Sequence, residues 1–354
     1  MEYAEESSAA SVQQTQEIMA AQNNAPLPDG LEISGYRIVK KIASGGFSIV
    51  YLAYDEDGNA VAIKEYLPSA LALRQPGELV PQISPANLPI FRIGLKCFFE
   101  EGRALARISH PNVVSVINFF RANETVYMVM AYESGRSLQD HILRRRDKGE
   151  KPLVSERFIR KMFSQVINGL RQVHTNKLLH LDLKPANIYL RVDGTPILLD
   201  FGAARQTLKT DMPKLYPMYT PGFAPPELYL KNANLGPWSD IYSIGASIFA
   251  CMVGAPPQPA DQRKTTDKME SHLAKLEGLY SQELIQLVRW CLMLNPLERP
   301  QSLFALQKTL MEPVPVAEEP GFVQKILRKL RLLAGNLDRR TSGKATTTIQ
   351  ENTQ

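Results

Sequence analysis

The chain has 354 residues, 44% of them apolar and 22% charged, with a formal net charge of +5. Such a composition supports a sizeable core, while the modest positive balance gives no argument for a nucleic-acid partner. No apolar run approaches the roughly 18 residues needed to cross a bilayer, and the N-terminus lacks the basic-then-apolar pattern of a secretory signal.

The length points to one large two-lobed unit or two domains. Cys97, Cys251 and Cys291 are far apart in apolar surroundings. They suggest neither a disulfide framework nor a zinc site, so a reducing, cytoplasmic location is expected.

Residues 1–30 carry five acidic groups and no Lys or Arg, and end in Pro26-Leu27-Pro28-Asp29-Gly30. They read as a disordered acidic leader. Short strands come next. Tyr36–Ile42 leads into Ala43-Ser44-Gly45-Gly46-Phe47-Ser48, and Ile49–Tyr54 leads out. After an Asp57-Gly58-Asn59 turn, alternation along Val61-Ala62-Ile63-Lys64 places Ala62 and Lys64 on one face. A proline-rich link then runs from Glu65 to about residue 93, long enough to be functional or mobile. The spacing of Phe98, Leu105 and Ile108 predicts a helix over Cys97–Ile108, followed by strands at Val113–Phe120 and Thr125–Ala131. Gly135 permits a turn into a helix over 137–146, with Ser137 as its N-cap.

Beyond Ser155 the pattern is helical: Phe158, Ile159, Met162, Phe163, Val166, Leu170 and Val173 form one buried stripe. Then His180-Leu181-Asp182-Leu183-Lys184-Pro185-Ala186-Asn187 leads into Ile188-Tyr189-Leu190, an Asp193-Gly194 turn, and Ile197-Leu198-Leu199-Asp200-Phe201-Gly202. Two branched apolar runs around Asp-Gly predict a hairpin. The polar groups beside it suit phosphoryl transfer: Asp182 to accept a hydroxyl proton, Lys184 to neutralise a moving phosphate, Asn187 and Asp200 to offer oxygens to magnesium.

That grouping resembles the catalytic loop and the metal-binding Asp-Phe-Gly of the protein kinase family. Further motifs follow in the family's order over about residues 36–311. The resemblance implies an α+β, two-lobed protein kinase fold: a small β-rich N-lobe with one main helix (about 31–132) and a larger α-helical C-lobe (about 133–312). It assigns Ile42, Ala43, Gly45, Phe47 and Val50 to the loop over the nucleotide phosphates. Ala62, Met130 and Tyr132 would surround the adenine, with Lys64 on the phosphates. Glu101, or its neighbour Glu100, would pair with Lys64. Asp182, Lys184 and Thr220 become catalytic, and Asn187 and Asp200 hold Mg2+, or Mn2+ in its place, with ATP. Asp240 would hold the catalytic-loop backbone, Glu227 would pair with Arg299, and His174 would be a structural donor.

Four departures stand out. Ala43 and Ser48 replace two of the family's glycines, Leu181 its usual arginine, and Pro225 an alanine. None removes a chemical participant. Lys184 within Asp-Leu-Lys-Pro-Ala-Asn, together with Thr220, resembles serine/threonine kinases, and the Ala/Gln-rich leader with its short core resembles those of the bacterial type, which implies action on protein substrates and on the chain itself. The competing reading is a pseudokinase that serves as a nucleotide-binding or scaffolding module.

Residues 313–338 form a linker and a basic amphipathic helix. Its apolar stripe (Phe322, Val323, Ile326, Leu327, Leu330, Leu333) suits the large lobe, a partner's groove or an anionic membrane through 321–334. Residues 339–354 read as a disordered tail, with Thr346-Thr347-Thr348 as autophosphorylation sites for a phosphothreonine-reading partner.

Overall fold

A computed structural model describes residues 24–201, 205–206, 219–230 and 233–311. The first 23 residues, the amphipathic stretch 321–334 and the Thr-rich tail expected above lie outside the described residues.

In chain order the small lobe holds β1 (Glu32–Ile33), β2 (Tyr36–Ser44), β3 (Ser48–Tyr54), β4 (Ala60–Tyr66), a short hairpin of β5 (Ala72–Leu73) and β6 (Gln82–Ile83), helix α1 (Leu88–Leu105), β7 (Val116–Ala122) and β8 (Thr125–Ala131). Six of the strands form one antiparallel sheet in the order β1-β2-β3-β4-β8-β7. Ile63 lies opposite Tyr51 on β3 and Val129 on β8, so side chains of odd number share a face. Ile49, Tyr51, Ala53, Val61, Ile63, Tyr127 and Val129 on that face are at most 3% exposed. Val50, Leu52, Ala62, Lys64 and Met130 occupy the other face, where the resemblance places the nucleotide.

The leader was expected to lack structure through residue 30, yet residues 24–30 run along this lobe. Ala25 N donates to Arg74 O at 3.0 Å, Leu27 N donates to the Tyr51 hydroxyl at 3.1 Å, and Leu27 is buried in the small-lobe core. One apolar side chain suffices because the cluster it joins is already apolar. Helix α1 begins at Leu88 rather than Cys97 and ends at Leu105 rather than Ile108. Pro89 reads as a breaker, but it sits in the first turn, where a missing N–H leaves no hydrogen bond unmade. Residues 113–114, expected to begin a strand, turn instead with Asn112 to the large lobe: Val114 N donates to Leu198 O, and Leu198 N to Asn112 O.

The large lobe comprises β9 (Gly135–Ser137), α2 (Leu138–Asp147), α3 (Glu156–Thr175), β10 (Leu178–Leu179), β11 (Ile188–Arg191), β12 (Pro196–Leu198), β13 (Arg205–Gln206), α4 (Pro237–Val253), α5 (Ala260–Arg263), α6 (Met269–Leu273), α7 (Gln282–Cys291) and α8 (Leu303–Met311). Ser137 caps α2 as expected, accepting from Asp140 N at 3.0 Å. The predicted stripe of α3 is buried, and α4 is buried on nearly all sides, which makes it the centre of this lobe. A Cβ at Gly245 would run into Cys291, so only glycine lets α4 and α7 approach this closely. β10 pairs with β13, while β11 lies between β9 and β12. The architecture is the two-lobed α+β fold expected from the sequence.

Candidate active site

The site is built on the β11–β12 hairpin. Its Asp193-Gly194 turn closes with Asp193 Oδ1 accepting from Thr195 N at 2.9 Å and Gly194 at φ +82°. At the other end Ile188 lies opposite Leu198, and Leu199 N donates to Asn187 O. Asn187 and Asp200 therefore emerge side by side at the open end of the hairpin.

The loop before it is held from below. Asp240, wholly buried on α4, accepts from His180 N at 2.9 Å, Leu181 N at 2.8 Å and His174 Nε2 at 2.8 Å. Burial alone would raise its pKa; the hydrogen bond and charge of His174 and the backbone bond from Leu181 hold it below the ordinary value. Both roles expected from the sequence, Asp240 as loop anchor and His174 as structural donor, are realised. Leu181 adopts φ +61°, and its side chain is buried. His180 is fully buried with both ring nitrogens unpartnered, and its ring lies 4.5 Å from that of Phe201. Burial pushes its pKa down, so it packs as a neutral ring.

Above this floor three side chains close a triangle. Thr220 donates its hydroxyl to Asp182 Oδ1 at 2.8 Å, and Lys184 Nζ lies 2.7 Å from both Asp182 Oδ2 and Thr220 Oγ1. Asn187 Nδ2 donates to the Asp182 carbonyl at 2.8 Å and to Oδ2 at 3.2 Å. A carboxylate that accepts from a hydroxyl while an ammonium stands beside both is arranged for proton acceptance from an alcohol. With the Asn187 amide nitrogen engaged, its oxygen is the donor left for a metal. That oxygen and the Asp200 carboxylate are hard ligands that fit magnesium or manganese.

Lys64 reaches across from β4 and binds Asp200 Oδ1 at 2.5 Å. Its charge, against the cost of burial, holds the Asp200 carboxyl down at about 2. The expected Lys64–Glu101 pair is not formed. Glu101 is buried on α1 with Oε1 unpartnered, and burial pushes its pKa up to about 8 despite the Lys64 charge. Burial holds Glu101 neutral and so leaves it little charge to offer, whereas contact with the Lys64 ammonium keeps Asp200 ionised. Lys64 itself stays charged, since Asp200 and Glu101 raise its pKa against burial.

The loop between β2 and β3 covers this side of the sheet, with Ala43 opposite Val50 and with Ile42 and Phe47 exposed. Gly45 N donates to Ser48 O, and a Cβ at Gly45 or Gly46 would meet nothing within 4 Å. Met130 pairs with Ala62 in register, and Tyr132 follows β8 on the segment leading to the large lobe. Glu227 and Arg299 form the expected buried fork at 2.8 and 3.0 Å.

Among the ion pairs that escaped the sequence reading, two adjoin residues assigned to the site. Arg191 grips Glu133, just beyond Tyr132, through Nε at 2.6 Å and Nη2 at 2.7 Å. Arg74 grips Glu65, the neighbour of Lys64, with both side chains fully buried. A signal for the second existed. Glu65 continues the inward alternation of Val61 and Ile63, and a charge at such a position demands a partner.

A family model for the protein kinase domain matches residues 36–311, and the chain belongs to the protein kinase family. Relatives named as kinases agree, two of those below as serine/threonine-protein kinases. Nek3 of Mus musculus is 27% identical over 297 residues, which are 83% of this chain and 53% of that protein. A probable PknB of Lactococcus lactis is 27% identical over 227 residues, 64% of this chain and 32% of that protein. NUAK family SNF1-like kinase 2 of Rattus norvegicus is 26% identical, covering 75% of this chain and 38% of the relative. The chain thus spans between 32 and 53% of the length of these relatives. A solved structure, the PpkA-294 apo form, superposes with a TM-score of 0.70 at 33% identity, covering 81% of this chain and all of that one.

Proposed function

We propose that the chain is an ATP-dependent serine/threonine protein kinase, transferring the γ-phosphoryl group of Mg-ATP to protein hydroxyls, its own included. The observation that carries this reading is the Asp182–Lys184–Thr220 triangle, in which a hydroxyl already donates to the carboxylate. In the reaction Asp182 takes the proton of the incoming serine or threonine hydroxyl, and Lys184 offsets charge on the phosphoryl oxygens. Lys64 holds the α- and β-phosphates, and the backbone around Gly45 covers them. When bound, the metal ion neutralises developing charge on the phosphates, with Asn187 and Asp200 as its protein ligands. Every chemical participant of the family is present, which favours catalysis over a scaffold. Three cysteines spaced far apart along the chain suit work in the reducing cytoplasm.

The test is transfer of label from γ-labelled ATP to a generic basic protein. Magnesium-dependent incorporation is expected, and none with either magnesium or manganese would overturn the proposal. Mass spectrometry of the same mixture locates autophosphorylation. Phosphate within Thr346-Thr347-Thr348 supports a docking site there for a phosphothreonine-reading partner, and phosphate confined to the core contradicts it.

A further inference from the structure

The link between β4 and α1 is tied to β4 by a buried charge network. Arg74 Nη1 donates to Glu65 Oε1 at 2.6 Å and Nη2 to Oε2 at 2.8 Å, with both side chains at 0% exposure. Tyr51 and Tyr127 complete the carboxylate, donating at 2.7 and 2.8 Å. Arg74 Nε donates to Ala25 O at 2.8 Å, so the segment 24–28 closes the last open side. No polar group of this network lacks a partner, the condition under which a buried pair is tolerated.

The pair also closes a loop in the chain from Glu65 to Arg74, and two residues inside that loop hydrogen-bond to the β2–β3 turn. Leu67 N donates to Phe47 O at 2.9 Å and Ser69 N to Gly46 O at 2.9 Å. Ser69 Oγ adds a contact to Gly46 O at 3.2 Å. The turn assigned to the nucleotide phosphates is thus fastened to the first residues of the link. Those residues are in turn fixed by Arg74 on one side and by Lys64-Glu65 on the other. Beyond its own Gly45 N to Ser48 O bond and the strand pairing at its two ends, the turn has open space where side chains of Gly45 and Gly46 would stand.

We propose that Arg74, Glu65 and Ser69 are positioning residues for the phosphate-covering turn and for Lys64: the buried pair holds the link, and the link holds the turn over the triphosphate. This rests on the kinase reading above. It predicts selective harm to the phosphate end of the nucleotide, because the link's hydrogen bonds reach the turn at Gly46 and Phe47, whereas the adenine is assigned to Ala62, Met130 and Tyr132. A general loss of packing would weaken every ligand alike.

The experiment compares ATP and adenosine binding by calorimetry on the full chain, together with the KM for ATP and kcat. The first variant is Glu65→Gln with Arg74→Met, which removes both charges and keeps side-chain volume. ATP affinity should fall about 10-fold or more while adenosine affinity stays within twofold. The second is Ser69→Gly, which leaves the buried pair intact and should weaken ATP binding about threefold with adenosine unchanged. If the double variant loses its cooperative unfolding transition, Ser69→Gly decides alone. Equal losses for ATP and adenosine, or unchanged ATP affinity in a folded variant, overturn the proposal. Should the wild-type chain transfer no phosphate, the kinase reading fails by itself, and the two affinities still judge the positioning role.

Discussion

Glu101 shows how a single side chain can carry the state of the site. Its ordinary pKa is 4.5, and burial moves it to about 8 in the folded protein. Between those values the folded chain keeps a proton that the unfolded chain has released. Stability from this group is therefore present at low pH and drains away as pH rises through that window. Glu101→Gln cannot titrate, so its denaturation midpoint should fall less than that of wild type between about pH 5 and pH 8. Equal falls in the two proteins would show that Glu101 is not held neutral. At this scale the sequence was a good guide where chemistry demands particular groups. Asp182, Lys184, Asn187, Asp200 and Thr220 converge because each is set by a short offset on one hairpin or by the triangle that Thr220 completes. The choice of Asp200 over Glu101 as the partner of Lys64 was not legible, because it depends on where folding places each carboxylate relative to the Lys64 ammonium and on the burial of Glu101.

At the scale of elements, the long periodic helices and the hairpin were readable from spacing, and α3 and β11–β12 fall where the pattern puts them. The start of α1 was not, because a proline is a breaker inside a helix and harmless in its first turn. Residues 24–30 were also unreadable: they have no period of their own, and their order comes from a sheet face and from Arg74, far along the chain. The burial of Leu27 gives this segment a measurable weight. Leu27→Ala should cost about 2–4 kcal/mol of unfolding free energy by denaturant titration, the range for a buried leucine that leaves a cavity. A change below about 0.5 kcal/mol would mean that the segment contributes no packing to the small lobe.

Across the whole molecule, two hydrophobic clusters divide the labour, one formed by the small lobe and the other centred on α3 and α4. Each presents one side of the chemistry: Lys64 and the glycine turn from the sheet, Asp182 and Asn187 from the loop anchored on Asp240. The side chain of Asp200 joins them through Lys64. The account stands on Asp182 as the group that takes the hydroxyl proton. Its most direct test is single-turnover transfer by Asp182→Asn, with ATP affinity measured on the same protein. An amide of the same shape should leave nucleotide binding within a few-fold and slow transfer by about two to four powers of ten. A variant that transfers at a near-normal rate would contradict the assignment of the catalytic loop.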